Sequence, residues 1–243
     1  YLLNVVFNLL LLLSLLFIPV LAFPKGITLD GQLNEEMWLD AVGISGFQTT
    51  QPFSLADPHR KTEVKITSDK KGIWIGFKNY QPQNESINST TLKDGELSGD
   101  FNEVIIKFDE LASNGFGFKV SIDGAVQDSV WSSENGEDID WDGEWNSAVY
   151  KELDFWSVEI FIPWSITSMS LSDDSSRIVE YYVSRSHRES ATKFSSPAIR
   201  PDKNGFLNQF SKVQLAYEAG TSLDVFPYIS GSRNLLNEES EAR

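Results

Sequence analysis

Residues 156 to 164 read Trp156-Ser157-Val158-Glu159-Ile160-Phe161-Ile162-Pro163-Trp164. Trp156, Val158, Ile160 and Ile162 alternate with Ser157, Glu159 and Phe161. A period of two sends one set of side chains into a core and the other set to the opposite face, which is the pattern of a strand. The same alternation recurs along the chain. Thr62-Glu63-Val64-Lys65-Ile66 carries it, and Ile73, Ile75 and Phe77 alternate with Trp74, Gly76 and Lys78. Phe116, Phe118, Val120 and Ile122 alternate with Gly117, Lys119 and Ser121, and Val179, Tyr181 and Val183 continue the series. Glu103 to Phe108 is more continuously apolar and reads as a central strand. Ser68-Asp69-Lys70-Lys71-Gly72, Ser113-Asn114-Gly115 and Asp123-Gly124 supply turns between the runs. Asn34 is placed to cap one short helix through Trp38 to Ala41, with Glu35 and Glu36 in its first turn. The predicted fold is an all-β antiparallel sandwich, immunoglobulin- or jelly-roll-like, with one short N-terminal helix.

The two ends differ from this core. Tyr1 to Ala22 is almost wholly apolar and closes with Val20 and Ala22 at small-residue positions, as a secretory signal peptide does. A retained membrane anchor is the rival reading. There is no initiator Met and no Lys or Arg before Lys25, so we expect a few N-terminal residues to be missing. The expected domain runs from 23 to 218. Residues 219 to 243 form a linker that holds Phe226-Pro227-Tyr228 and the makings of one further strand.

Composition narrows the function. The 243-residue chain has no cysteine, which removes disulfides and thiolate metal sites. Its net charge of −15 repels phosphate backbones, so no nucleic-acid partner is expected. Neutral sugars, basic peptides and divalent cations fit such a surface, as does solubility alone. The only two histidines, His59 and His187, sit in no nucleophile or metal pattern. No strand–Ser–helix elbow, phosphate loop or dinucleotide fingerprint is present. With 35 acidic residues, carboxylate pairs for glycoside cleavage carry no signal. No catalytic residue is assigned.

Two features point to binding. Trp131, Trp141 and Trp145 fall in or beside the long loop Ser132 to Glu144, where indole faces can stack on the C–H patches of sugar rings. Core packing is the alternative use, and Trp38, Trp74, Trp156 and Trp164 fit that role. The second feature is Asp138-Ile139-Asp140-Trp141-Asp142-Gly143-Glu144. Asp138, Asp140, Asp142 and Glu144 supply alternate carboxylates that can wrap Ca²⁺, or they form a solvated acidic turn. A calcium hand would need an acid at its twelfth position, where this chain has Val149.

The order of the segments resembles family-9 carbohydrate-binding modules. The blocks that carry the likeness are Ile27-Thr28-Leu29-Asp30-Gly31 through Trp38, Val64-Lys65-Ile66, Gly72 to Phe77, Asp100 to Asp109, and the Trp156 to Trp164 stretch. Together they span about residues 26 to 217. Asp140 to Trp145, Arg185 to Glu189 and Phe226-Pro227-Tyr228 further resemble a subgroup that precedes an outer-membrane β-barrel. The resemblance implies a β-sandwich that binds an oligo- or polysaccharide in the service of polysaccharide breakdown. It also implies an exported location: the periplasm, the outer membrane through a C-terminal barrel, or the cell surface. Any enzymatic role would be O-glycosyl hydrolysis by association. An accessory domain of the barrel without sugar affinity is the alternative. Sugar-binding members clamp the ligand between two Trp. Here the first position offers Gly99 and Asp100, and the second offers Phe206 or Phe210. Phe206 therefore joins Trp131, Trp141 and Trp145 as a candidate sugar contact.

Overall fold

The computed structural model describes residues 28–82, 90–91, 97–110, 112–169 and 175–217. The apolar segment 1–22 and the tail 219–243, with the signal-peptide and barrel readings placed on them, lie outside the described residues.

Fifteen strands are described: β1 Val42–Ile44, β2 Gln48–Gln51, β3 Thr62–Ser68, β4 Gly72–Tyr80, β5 Thr90–Thr91, β6 Leu97–Ser98, β7 Phe101–Lys107, β8 Asn114–Ser121, β9 Val126–Ser132, β10 Gly136–Asp138, β11 Asn146–Lys151, β12 Phe155–Pro163, β13 Ser176–His187, β14 Thr192–Ser196 and β15 Ser211–Ala216. They form two antiparallel layers and a small β5–β6 ribbon. One layer runs β1-β3-β4-β12-β11. The other runs β10-β9-β8-β7-β13-β14-β2, with β15 also on β13. β13 is shared along one edge. Its first half, Ser176 to Tyr181, pairs with β15, and its second half, Val183 to His187, pairs with β14.

The period-two residues meet between the layers. Ile66, Ile75, Phe77, Val158 and Ile160 from one sheet face Val104, Ile106, Phe118, Val120 and Val183 from the other, all fully or almost fully buried. Burying side chains of this size stabilises the sandwich by roughly 1.5–3 kcal/mol each. Trp38, Trp74, Trp156 and Trp164 are all buried, as expected of packing residues.

The predicted N-terminal helix does not form. Glu36–Trp38 is a single 3₁₀ turn without a side-chain cap, closed by Trp38 N–H to Glu35 O and Leu39 N–H to Glu36 O, both 3.0 Å. One turn fixes several dihedrals for few hydrogen bonds, and a tertiary anchor holds it instead. That anchor is Glu159 on the outer face of β12. Its carboxylate accepts the backbone N–H of Asp30 (3.0 Å) and Gly31 (2.9 Å) and the indole N–H of Trp38. Residues 30 to 38 thereby lie as a strap across the outer face of the five-stranded sheet. Gly76 admits the strap, because a Cβ there would stand 2.6 Å from Leu33 and 3.0 Å from Trp38.

Candidate functional site

The outer face of the eight-stranded sheet carries a polar row that only strand register assembles. Gln127 of β9 stands opposite Lys119 of β8, Lys119 opposite Glu103 of β7, Glu103 opposite Ser184 of β13, and Ser184 opposite Ser195 of β14. Glu103 is the centre of the row and is 1% exposed. Its Oε2 accepts from Lys193 Nζ (2.7 Å) and Ser184 Oγ (3.0 Å), and Lys119 Nζ lies 3.8 Å from Oε1. Lys119 also reaches Glu137 of β10 at 2.7 Å. Burial pushes the Glu103 carboxyl up, but the charges of Lys193 and Lys119 and the hydrogen bonds from Lys193 and Ser184 outweigh it. The net direction is downward. Lys193 is driven the other way, because the attraction of Glu103 exceeds the effect of its burial.

An aromatic ridge runs beside this row. Trp131 of β9 packs on Phe206 with ring centroids 4.7 Å apart. Phe206 meets Tyr182 at 5.3 Å and Phe210 at 5.2 Å. Leu207 and Ile105 lie beneath, forming a second small core on the outside of the sheet. Trp131 and Phe206 are half-buried, so each keeps part of a ring toward solvent. Gly117 makes this arrangement possible. A Cβ there would lie 2.6 Å from Ser129 Oγ and 3.2 Å from Trp131 Nε1.

The expected tryptophan trio is divided between two environments. Trp131 belongs to a strand and faces outward with Phe206. Trp141 and Trp145 turn the other way, into the open end of the main core. Trp141 meets Phe116 at 5.1 Å and Trp145 meets Phe118 at 5.1 Å. Asp128 fixes their loop by accepting Gly143 N–H (2.8 Å) and Trp145 Nε1–H (3.2 Å). Gly99, in the first clamp position, has φ +119° and so suits glycine. Asp100 accepts the backbone N–H of Arg188 at 2.6 Å. Trp131 and Phe206 thus form a continuous wall, with no slot between two indoles.

The acids proposed for Ca²⁺ are spread along the surface. Asp138, Asp140, Asp142 and Glu144 are all exposed, and Asp138 Oδ1 accepts the N–H of Asp140 at 3.0 Å as a local turn. Part of the expected loop is the short strand β10. Among the described residues, one set of three carboxylates brings ligand atoms within 4.8 Å of one another: Asp30, Glu35 and Glu159. Glu159 in that set is already occupied by three N–H donors.

No protein-family model matches the sequence, and no curated protein matches it. Solved structures do. A family-9 carbohydrate-binding module from Caldicellulosiruptor kristjanssonii, in complexes with cellotriose and with glucose, matches with a TM-score of 0.55 and 13% identity, over 84% of this chain and 96% of that one. A candidate carbohydrate-binding protein from Bacteroides uniformis ATCC 8492 matches with a TM-score of 0.50 and 12% identity, over 72% of this chain and 87% of that one. The chain has a family-9-like fold. At these identities the likeness concerns the path of the backbone. Sequence reading singled out Trp131 and Phe206 but missed Glu103, Lys119, Lys193 and Ser184. One signal was present: a glutamate set in the continuously apolar run of a central strand, where a charge requires partners.

Proposed function

We propose that this chain binds a neutral oligosaccharide on the outer face of its eight-stranded sheet, as a non-catalytic module serving polysaccharide breakdown. The observation that carries the reading is the adjacency of the two rows. Trp131 and Phe206 offer apolar ring faces for sugar C–H groups. Beside them Lys119, Glu137 and Lys193 offer donors and acceptors for hydroxyls. Glu103 holds the two lysines in place and keeps the row ordered before a ligand arrives. The family-9-like fold supports the reading, since the Caldicellulosiruptor module was solved with cellotriose and glucose.

Export and an outer-membrane setting belong to the same proposal and rest on the apolar segment 1–22 and on Phe226-Pro227-Tyr228. A Ca²⁺ ion drawing Asp138, Asp140, Asp142 and Glu144 together is proposed as support for their loop. An unchanged melting temperature in chelator would remove it.

Titration with glucose, cellotriose and a panel of neutral oligosaccharides, followed by amide chemical shifts, tests the main claim. Binding should perturb β7, β8 and β9 and should be lost in Trp131→Ala. Absence of binding to every member of the panel, or binding that is indifferent to Trp131→Ala, sinks it.

A further inference from the structure

A cavity lies on the other layer, at the edge where the chain leaves the five-stranded sheet. After Ile44 the backbone turns through Ser45, Gly46 and Phe47 and crosses to the eight-stranded sheet as β2. The cavity, of about 590 Å³, opens between this crossover and β3. That volume lies within the roughly 300–1,000 Å³ of small-molecule sites. Its walls combine Phe47 and Pro58 with Arg60, Lys61, Glu63 and Lys65.

Three cations and one carboxylate line this cavity, in a chain whose net charge is −15. Lys61 and Glu63 neutralise each other across 2.5 Å. Glu63 also accepts the hydroxyl of Tyr80 at 3.1 Å, and Lys61 Nζ stands 4.9 Å above the Tyr80 ring. Lys65 differs. Its ammonium donates to the backbone carbonyl of Trp38 at 2.6 Å, which leaves its charge without a carboxylate among the described residues. Positive charge in a cleft with low-dielectric walls concentrates an anionic ligand. Two glycines of the cavity lining border open space. A Cβ added at Gly43 or Gly46 meets nothing within 4 Å, and Gly43 has no positive φ.

We propose that this cavity is a second saccharide site, specific for a sugar that carries a carboxylate, such as a hexuronate residue. Lys65 takes the carboxylate and the apolar wall of Phe47 and Pro58 takes the ring. That the ligand is a saccharide rests on the function proposed above. The preference for an anion rests on the cavity alone.

Amide chemical shifts during titration with a galacturonate trimer, with cellotriose as the neutral control, test the proposal. The acidic trimer should shift residues 43–46 and 60–65, and cellotriose should not. Lys65→Gln should weaken the acidic trimer at least tenfold. Gly43→Phe should abolish its binding at an unchanged melting temperature, because the new side chain grows into open space. Trp131→Ala should leave it unaffected. The proposal is overturned if the acidic trimer binds nowhere, binds only at β7 to β9, or binds Gly43→Phe as well as the parent. A response at residues 43–65 without any cellotriose response at β7 to β9 would retain this site and refute the neutral-sugar reading instead.

Discussion

The indole Nε1 of Trp38 donates to Oε1 of Glu159 across 3.1 Å, joining residues 121 positions apart. Glu159 is fully buried. Burial raises its pKa to about 7, against the downward pull of three N–H donors, and the nearby charge of Glu35 adds to the rise. The folded state therefore holds a proton that the unfolded state releases near 4.5. Stability from this group is complete below about pH 4.5 and is lost as pH rises through 7, by roughly 3 kcal/mol in all. Melting temperature should fall between pH 5 and pH 8. Glu35→Gln removes the like charge and should flatten that fall. An equal slope in the variant would contradict the assignment.

Glu103 has the opposite sign. Its pKa is lowered in the folded state, so its contribution is present above about pH 4.5 and disappears as pH drops through the folded value. Glu103→Gln leaves Lys193 without its counter-charge, while Lys119 keeps Glu137 at 2.7 Å. We expect a loss of about 3 kcal/mol in urea denaturation, toward the low end for a buried pair because the Lys193 side chain is 26% exposed. Exchanging Glu103 and Lys193 together for Gln and Met should recover part of the loss.

Gly31 and Gly124 have nearly equal dihedral angles, φ +85° and +82°, in different surroundings. A Cβ at Gly31 would lie 2.6 Å from the backbone of Val149 and Tyr150, whereas one at Gly124 meets nothing. Gly124→Ala should cost about 1 kcal/mol, the strain of the left-handed region alone. Gly31→Ala should cost more than about 2 kcal/mol, because the strap must lift from the sheet. Equal losses in chemical denaturation would show that the strap does not touch the strands below it.

The tryptophans should separate binding from stability. Trp141→Ala opens the end of the main core and should cost about 2–3 kcal/mol while leaving oligosaccharide affinity intact. Trp131→Ala should abolish affinity at a smaller cost in stability. Urea denaturation and sugar titration of the same two proteins provide the check.

Strand positions were legible because burial leaves a mark at every second residue. Trp156 to Ile162, Ile73 to Phe77 and Phe116 to Ile122 fall where alternation puts them. The helix expected from Asn34 to Ala41 gives way to one 3₁₀ turn because its Trp38 is held by Glu159, far away in sequence. The polar row was illegible for the same reason. Gln127, Lys119, Glu103, Ser184 and Ser195 come from five strands, and only cross-strand register brings them side by side. The loop tryptophans looked equivalent because the sequence does not reveal which side of the sheet a loop folds over. Asp128, which fastens that loop, lies well before it.

The division of β13 between two neighbours has a mechanical consequence. β15 holds on to the first half of that strand, and the polar row crosses the second half. A tether pulling at Tyr217 would peel β15 from Ala216 toward Ser211, one rung after another, and the sugar-facing half would carry no load until the last rung had parted. β15 would then act as a fuse, yielding at low force and sparing the face behind it.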